Sequence, residues 1–375
     1  MRILHAYKIY KPDVEGGIPQ VIATLTHNTP DDINSSIVVA RSSGPTEHSV
    51  IDGVPVNAAY SFGTAFSTPI SPAYLRAFLK GASTSDLIVH HAPFPLTDIA
   101  LLAQKSRIPL VVHWHAEIIG RSLLKSALMP AIISSLKRAA KIIVAHPIMI
   151  QQSDLLKRFS DKCVAIPYGT DINYWSKINQ LKVKAGQNSR SESSRLLVAI
   201  GRLVPYKGFS LLLQALQDID AKLVLIGEGD LLPNLRRQAN ILGIEDRVVF
   251  AGKLPRSEMR ALLQTANALV MPSISSAEAF GIVQIEAMAA GCPVINTNIS
   301  TAVPFVARHK LEGLTVSVGD VAALREAILL ILDNPEYARK LGNAAELRVR
   351  AEFDEDLFRQ RNFDLYRSIV SDLRP

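Results

Sequence analysis

The sequence predicts an α/β protein of two doubly wound, Rossmann-like domains facing a central cleft. Its 375 residues exceed one ordinary core and suit two domains of about 150 to 200 residues. Short Val/Ile/Leu runs alternate with helical patterns through both halves, as expected of parallel strands buried on both faces. Between the two series lies a polar stretch with almost nothing to bury, which reads as a flexible linker. The expected boundaries are a first domain over 1–180, a linker over 181–195, a second domain over 196–356, and a C-terminal helix over 357–375 packing back on the first domain.

Residues 2–7 read as the first strand, followed by a loop carrying Gly16 and Gly17 and a helix from Val21. The glycine pair lays bare backbone at the carboxyl end of a strand, where open α/β sheets bind ligands; a tight turn with no ligand gives the same pattern. Further strands are expected at 36–40, 87–91, 109–115, 141–145 and 163–167. The run at 109–115 ends in His113, Trp114 and His115, and the period of two puts both imidazoles on one side of the strand. A metal site would need further ligands, and only Glu117 stands at a matching spacing. Either histidine taken singly is by default a satisfied core residue. The carboxyl end of a strand is where α/β folds place function, which favours one active-site histidine. Residues 120–141 carry five basic residues and no acid. Such a segment suits a membrane surface or, equally, a solvent-facing helix.

In the second half, strands are expected at 196–200, 222–226, 247–250, 268–271, 293–296 and 313–316. The first of them exits into Gly201, Arg202, Lys207 and Gly208. This is no Walker loop, because no Ser or Thr follows at the right place. An arginine fork and a lysine point charge would clamp a diphosphate, and a pair of surface salt-bridge donors is the alternative. The run at 268–271 exits into a loop with Glu278, then Gly281, then a helix through Glu286 closed by Gly291 and Pro293. The N–H groups of Ile282 and Val283 at that helix start would face an anion, helped by the helix dipole. Two carboxylates beside an anion site suit a ligand with both hydroxyls and phosphate, such as a nucleotide sugar. Asp218 and Asp220 imitate a metal-binding Asp-x-Asp, but they precede a strand at its amino end and read as a turn.

The net charge of +7 is unevenly placed, with 20 Lys/Arg against 12 Asp/Glu in residues 1–190 and 21 against 22 beyond. Nucleic acid, an anionic membrane surface or a phosphorylated lipid could each use the excess. The aromatics Phe62, Phe66, Tyr74 and Phe78 cluster away from the basic segment, which argues against nucleic acid. No apolar run approaches the roughly 18 residues of a membrane span. His5, Tyr7 and Lys8 interrupt any secretory pattern, so the chain reads as cytoplasmic. Cys163 and Cys292 have no metal-ligand spacing, and neither a disulfide framework nor a zinc site is expected.

With these residues in place, the chain resembles the GT-B retaining glycosyltransferases of family 4, group 1, over nearly its whole length. The resemblance rests on the Gly16–Gly17 loop, His115 after a strand, residues 167–171, Gly201 and Arg202 with Lys207, and the E-x7-E pair Glu278 and Glu286. Residues 113–117 and 296–304 are similar to mannosyltransferases that build bacterial exopolysaccharide or O-antigen from GDP-sugars. The resemblance implies an acceptor-binding first domain and a nucleotide-sugar-binding second one. It implies that Arg202 and Lys207 hold the donor diphosphate, that Glu286 receives the ribose hydroxyls, and that Glu278 holds the transferred sugar with the N–H groups of Phe280, Gly281 and Ile282. His115 would reach that sugar from the other domain, and Gly16 and Gly17 would approach phosphate and acceptor. No metal or cofactor beyond the nucleotide-sugar donor is implied. The implied partners are a polyprenyl-diphosphate-linked saccharide and, peripherally, the inner leaflet of the cytoplasmic membrane, with no nucleic acid. A nucleotide-sugar epimerase on the same fold would differ by giving product without acceptor; a non-catalytic nucleotide or nucleic-acid binding protein would turn over nothing.

Overall fold

The computed structural model describes residues 1–65, 68–104, 108–117, 123–176 and 195–372. The expected linker at 181–195 lies outside them except for Arg195. Two compact units emerge, Met1–Tyr168 with Asp356–Pro375, and Gly169–Glu355. The first unit thus ends at Tyr168 rather than at residue 180, because helix Ile172–Ser176 packs within the second. There Trp175 is fully buried, Arg260 donates to the Tyr174 carbonyl at 3.1 Å and Gln264 to the Trp175 carbonyl at 2.8 Å. Gly169 is a position of close approach, since a Cβ there would lie 2.6 Å from the Asp354 carbonyl oxygen.

The first unit holds β1 (Arg2–Ala6), β2 (Asn34–Ala40), β3 (Glu47–Ile51), β4 (Val54–Ala59), the short pair β5 (Thr64–Ala65) and β6 (Thr68–Pro69), β7 (Leu87–Ala92), β8 (Leu110–Trp114), β9 (Lys141–Val144) and β10 (Cys163–Ala165). Among the described residues its main sheet runs β10-β9-β8-β7-β1-β2-β4-β3, parallel except for β3 against β4. The continuous apolar runs of β7, β8 and β9 sit in the middle, where helices cover both faces and alternation is not needed. β3 and β4 escaped the sequence reading because β3 is a half-exposed edge strand with no apolar run. Helix Glu355–Ser371 buries Phe358, Phe363 and Tyr366, and its Arg367 reaches Asp32 at 2.9 Å.

The basic segment forms helix Leu123–Arg138. Arg121 and the side chain of Lys125 lie outside the described residues. Arg138 turns inward, donating to the carbonyls of Leu101 and Ile108 and to Gln104, so it helps close a helix end rather than adding to a basic face. Among the described residues no helix is long and apolar enough to cross a membrane.

The second unit has β11 (Leu196–Ile200), β12 (Lys222–Ile226), β13 (Val248–Gly252), β14 (Ala268–Val270), β15 (Val294–Thr297) and β16 (Gly313–Val316). Its order is β13-β12-β11-β14-β15-β16, and all its pairs are parallel. The order reverses between β11 and β14, and ligands of open α/β sheets bind beyond the strand ends at such a switch point. The loops leaving these two strands carry Lys207 and Glu278. Asp218 sits in a turn before β12 and pairs with Arg325 at 3.0 Å.

Candidate active site

The second unit brings its two loops into direct contact. After β11 the chain forms a single helical turn, Pro205–Lys207, and the Tyr206 carbonyl accepts from the Ile274 N–H of the other loop at 2.8 Å. This tie sets Lys207 against Glu278, with Nζ to Oε2 at 2.5 Å and both side chains largely buried. Ser273 adds its hydroxyl to the same Glu278 oxygen at 3.2 Å, and Thr297 fixes Ser273 by donating to its carbonyl at 2.5 Å. Gly201 makes room for the lysine: its φ is +154°, and a Cβ would lie 2.9 Å from Lys207 Cε. Arg202 remains exposed, its guanidinium 3.3 Å from the Tyr206 hydroxyl.

The second loop ends at Gly281, which caps helix Ile282–Ala289 in the left-handed region, at φ +74°. Ile282 and Val283 hold the first two helical positions, whose N–H groups an α-helix leaves without an internal acceptor. Phe280 is buried behind the turn, edge-on to Phe353. Glu286 lies further along the helix, partly buried. Burial pushes its carboxyl up to about 7, and the Arg256 charge pulls the other way. Arg256 is itself stacked over the rings of Tyr174 and Trp175.

Two polar residues that the sequence reading gave no role hold this turn. Gln284 donates to the Phe280 carbonyl at 2.9 Å, and Asn296 donates to Gln284 at 2.8 Å and to the Ala307 carbonyl at 3.0 Å. A fully buried glutamine in the otherwise apolar run 280–285 was the available signal.

In the first unit His115 stands just past the end of β8 and is almost fully buried. Both its ring nitrogens are engaged: Nε2 meets His91 Nδ1 at 2.8 Å and Nδ1 meets the Tyr168 hydroxyl at 2.7 Å. His113 lies against its face, with centroids 4.4 Å apart. Nitrogens of His91, His113 and His115 fall within 4.8 Å of one another. Two nitrogens on one tetrahedral zinc at about 2.0–2.1 Å stand more than about 3 Å apart, whereas the 2.8 Å between His91 and His115 is hydrogen-bond spacing. Gly16 is exposed and extended, with open space where a Cβ would stand, and Gly17 opens helix Gly17–Thr26.

Residues 182–348 match the family model for glycosyl transferases group 1, and residues 16–169 match that for the glycosyl transferase 4-like domain. The D-rhamnosyltransferase WbpZ of Pseudomonas aeruginosa is 32% identical over 94% of this chain and 92% of its own. The chain is a group 1 glycosyltransferase. An O-antigen chain mannosyltransferase C of Escherichia coli is 29% identical over 99% of both chains. Among solved structures, this glycosyltransferase is similar to sucrose-phosphate synthase from Thermosynechococcus elongatus, with TM-score 0.79, 21% identity and 99% of each chain covered. Anabaena HepE in complex with UDP and glucose gives TM-score 0.78 at 18% identity, covering 98% of this chain and 100% of that one. These likenesses establish the fold, GT-B with two Rossmann-like domains. Of the residues expected at the site, Gly201, Lys207 and Glu278 come together, Phe280 to Val283 form the turn and helix start, and Glu286 shares that helix. Gly16, Gly17 and His115 belong to the first unit.

Proposed function

We propose that this glycosyltransferase moves mannose, or a mannose-derived sugar, from a GDP-sugar to a lipid-linked saccharide, with retention at the anomeric carbon and without a metal ion. The observation that carries the reading is the Lys207–Glu278 pair at the switch point of the second sheet, beside a helix start. Two relatives covering nearly the whole chain, named for rhamnosyl and O-antigen mannosyl transfer, support the sugar class and a place in O-antigen or exopolysaccharide synthesis.

The chemistry follows from the groups present. Breaking the bond between the anomeric carbon and the phosphate oxygen leaves its electron pair on the diphosphate. Lys207, Arg202 and the N–H groups of Ile282 and Val283 are fixed positive ends that lower that barrier, each such donor being worth about 3–4 kcal/mol in comparable sites. Lys207 is held by Glu278 in the absence of donor, so a diphosphate arriving at Lys207 shares or displaces that contact. Glu278 is then available to the hydroxyls of the sugar, and Glu286 to those of the ribose. The acceptor hydroxyl attacks on the face the phosphate leaves, and its proton passes to the departing phosphate oxygen. Gly16 and Gly17 let the acceptor come close to backbone beyond the carboxyl end of β1. Peripheral contact with the inner leaflet brings the lipid-linked acceptor to the first domain.

Thermal shifts against GDP-, UDP-, ADP- and dTDP-sugars test the donor. At about 100 times the dissociation constant the true donor adds roughly 2.7 kcal/mol of stability. A clear response to a UDP-, ADP- or dTDP-sugar with none to GDP-mannose or GDP-rhamnose overturns the donor assignment. Product made from an α-linked donor in the absence of acceptor would point to an epimerase.

A further inference from the structure

His5, His91 and His115 come from β1, β7 and the end of β8, which are neighbours in the sheet. His5 pairs in register with Val89 and His91 with His113. Each next histidine therefore lies two residues beyond its neighbour's partner, on the same face, and the three rings descend the sheet diagonally. Their contacts form one unbroken series: His5 Nδ1 to His91 Nε2 at 3.0 Å, His91 Nδ1 to His115 Nε2 at 2.8 Å, and His115 Nδ1 to the Tyr168 hydroxyl at 2.7 Å. The ring centroids are 5.3 and 5.1 Å apart with tilts of 24° and 8°. The rings thus lie end to end in a ribbon rather than face to face.

Burial, reinforced by the neighbouring imidazoles at His91 and His115, holds these three rings well below the ordinary histidine range. Each neutral ring has one N–H, and each ring-to-ring bond needs one hydrogen. Only two arrangements satisfy every bond. Either all three carry the proton on Nδ1 and Tyr168 accepts, or all three carry it on Nε2 and Tyr168 donates. They differ at both ends: the Tyr168 hydroxyl keeps its hydrogen for another acceptor in the first and gives it to His115 in the second, and at the far end His5 Nε2 is buried with no partner among the described residues. The first arrangement leaves a bare lone pair there and the second an orphaned N–H. A buried orphaned donor is the rarer of the two.

We propose that His5 and His91 are positioning residues whose hydrogen bonds fix His115 as its Nδ1–H tautomer, donating to Tyr168. The expected signature is cooperative. Which nitrogen carries the proton is set by what the other one meets, so a change at Tyr168 is felt two rings away. The reading of His115 as a site residue gives the chain its relevance to transfer. Tautomers are measured without substrate, however, so this proposal and that reading can fail separately.

The test is nitrogen-15 spectroscopy of the full chain labelled at histidine, with resonances assigned by single His→Gln variants. The wild type should show Nδ1–H at His5, His91 and His115. Tyr168→Phe removes the acceptor and leaves His115 Nδ1–H with no partner. The end groups then nearly balance, and the intrinsic preference of imidazole for Nε2–H should convert His91 and His5 as well as His115. An Nε2–H proton on any of the three in the wild type overturns the proposal. So does a Tyr168→Phe protein in which His115 changes while His5 and His91 do not. If that variant fails to fold, the wild-type tautomers alone decide.

Discussion

In the first unit, His5, His91 and His115 bond to one another and to a phenol, and burial keeps them and His113 neutral. In the second, Lys207 and Glu278 meet as opposite charges where two loops touch. Both are polar clusters at the carboxyl ends of central strands, but they answer burial differently. A charged pair at a strand exit can trade its partner for a ligand of matching charge. A neutral imidazole ribbon has no charge to trade and works through proton order. It costs the fold stability whenever water offers protons to the unfolded chain.

The largest effect that separates the two regions is acid sensitivity. His5 and His113 sit at about 3, with His91 and His115 also lowered. Below the unfolded value near 6.5, the unfolded chain therefore binds protons that the folded one refuses, and stability falls as pH falls. Glu286, raised to about 7, acts in the opposite sense, since the folded chain holds its proton between about 7 and the ordinary carboxylate range. Four histidines against one glutamate, at about 1.4 kcal/mol per pH unit each, leave a net loss of about 3–4 kcal/mol between pH 7.5 and 5.5. Urea unfolding at the two pH values measures it; equal midpoints would mean that the histidines are not held neutral.

A smaller effect distinguishes ribbon from bystander. His91→Leu strands His5 Nδ1 and His115 Nε2 and should cost about 2–4 kcal/mol, whereas His113 has no hydrogen bond among the described residues, and His113→Leu should stay within about 1 kcal/mol. Chemical denaturation of both variants decides, and equal losses would show that packing rather than hydrogen bonding sets the value of these rings. Smallest is the response of Glu286. In the proposed role its carboxylate accepts ribose hydroxyls better ionised than protonated, so donor affinity should fall as the pH drops below about 7, by at most about tenfold per pH unit. Calorimetry should find that slope absent in Glu286→Gln.

The legible parts of the molecule were the local ones. Buried parallel strands announce themselves as Val/Ile runs, and Gly281, the helix after it and Glu278 lie within a few residues of each other, so strand, loop and helix start could be placed from spacing alone. Lys207 and Glu278 are far apart in sequence, and their contact depends on the adjacency of β11 and β14, which spacing does not encode. His5 and His91 carried no signal for the same reason: His5 follows Ile3 and Leu4 in β1, and His91 follows a second histidine, His90, at the end of the apolar run of β7. Their meaning comes from the sheet order β8-β7-β1 and a diagonal register. His115 was singled out at its strand end, but the engagement of both its nitrogens follows only from its neighbours. The edge pair β3 and β4 was missed because an exposed edge needs no apolar run, and helix Ile172–Ser176 because its place depends on Arg260 and Gln264 from a distant helix.

The most direct measurement is the initial rate of sugar transfer from GDP-mannose to a polyprenyl-diphosphate-linked saccharide in the presence of a metal chelator, for the wild type and Lys207→Ala side by side. A fixed lysine that stabilises the leaving diphosphate predicts an undiminished wild-type rate and a variant slower by about a hundredfold or more. Equal rates in the two proteins, or a wild-type rate that returns only on adding a divalent metal, would contradict it.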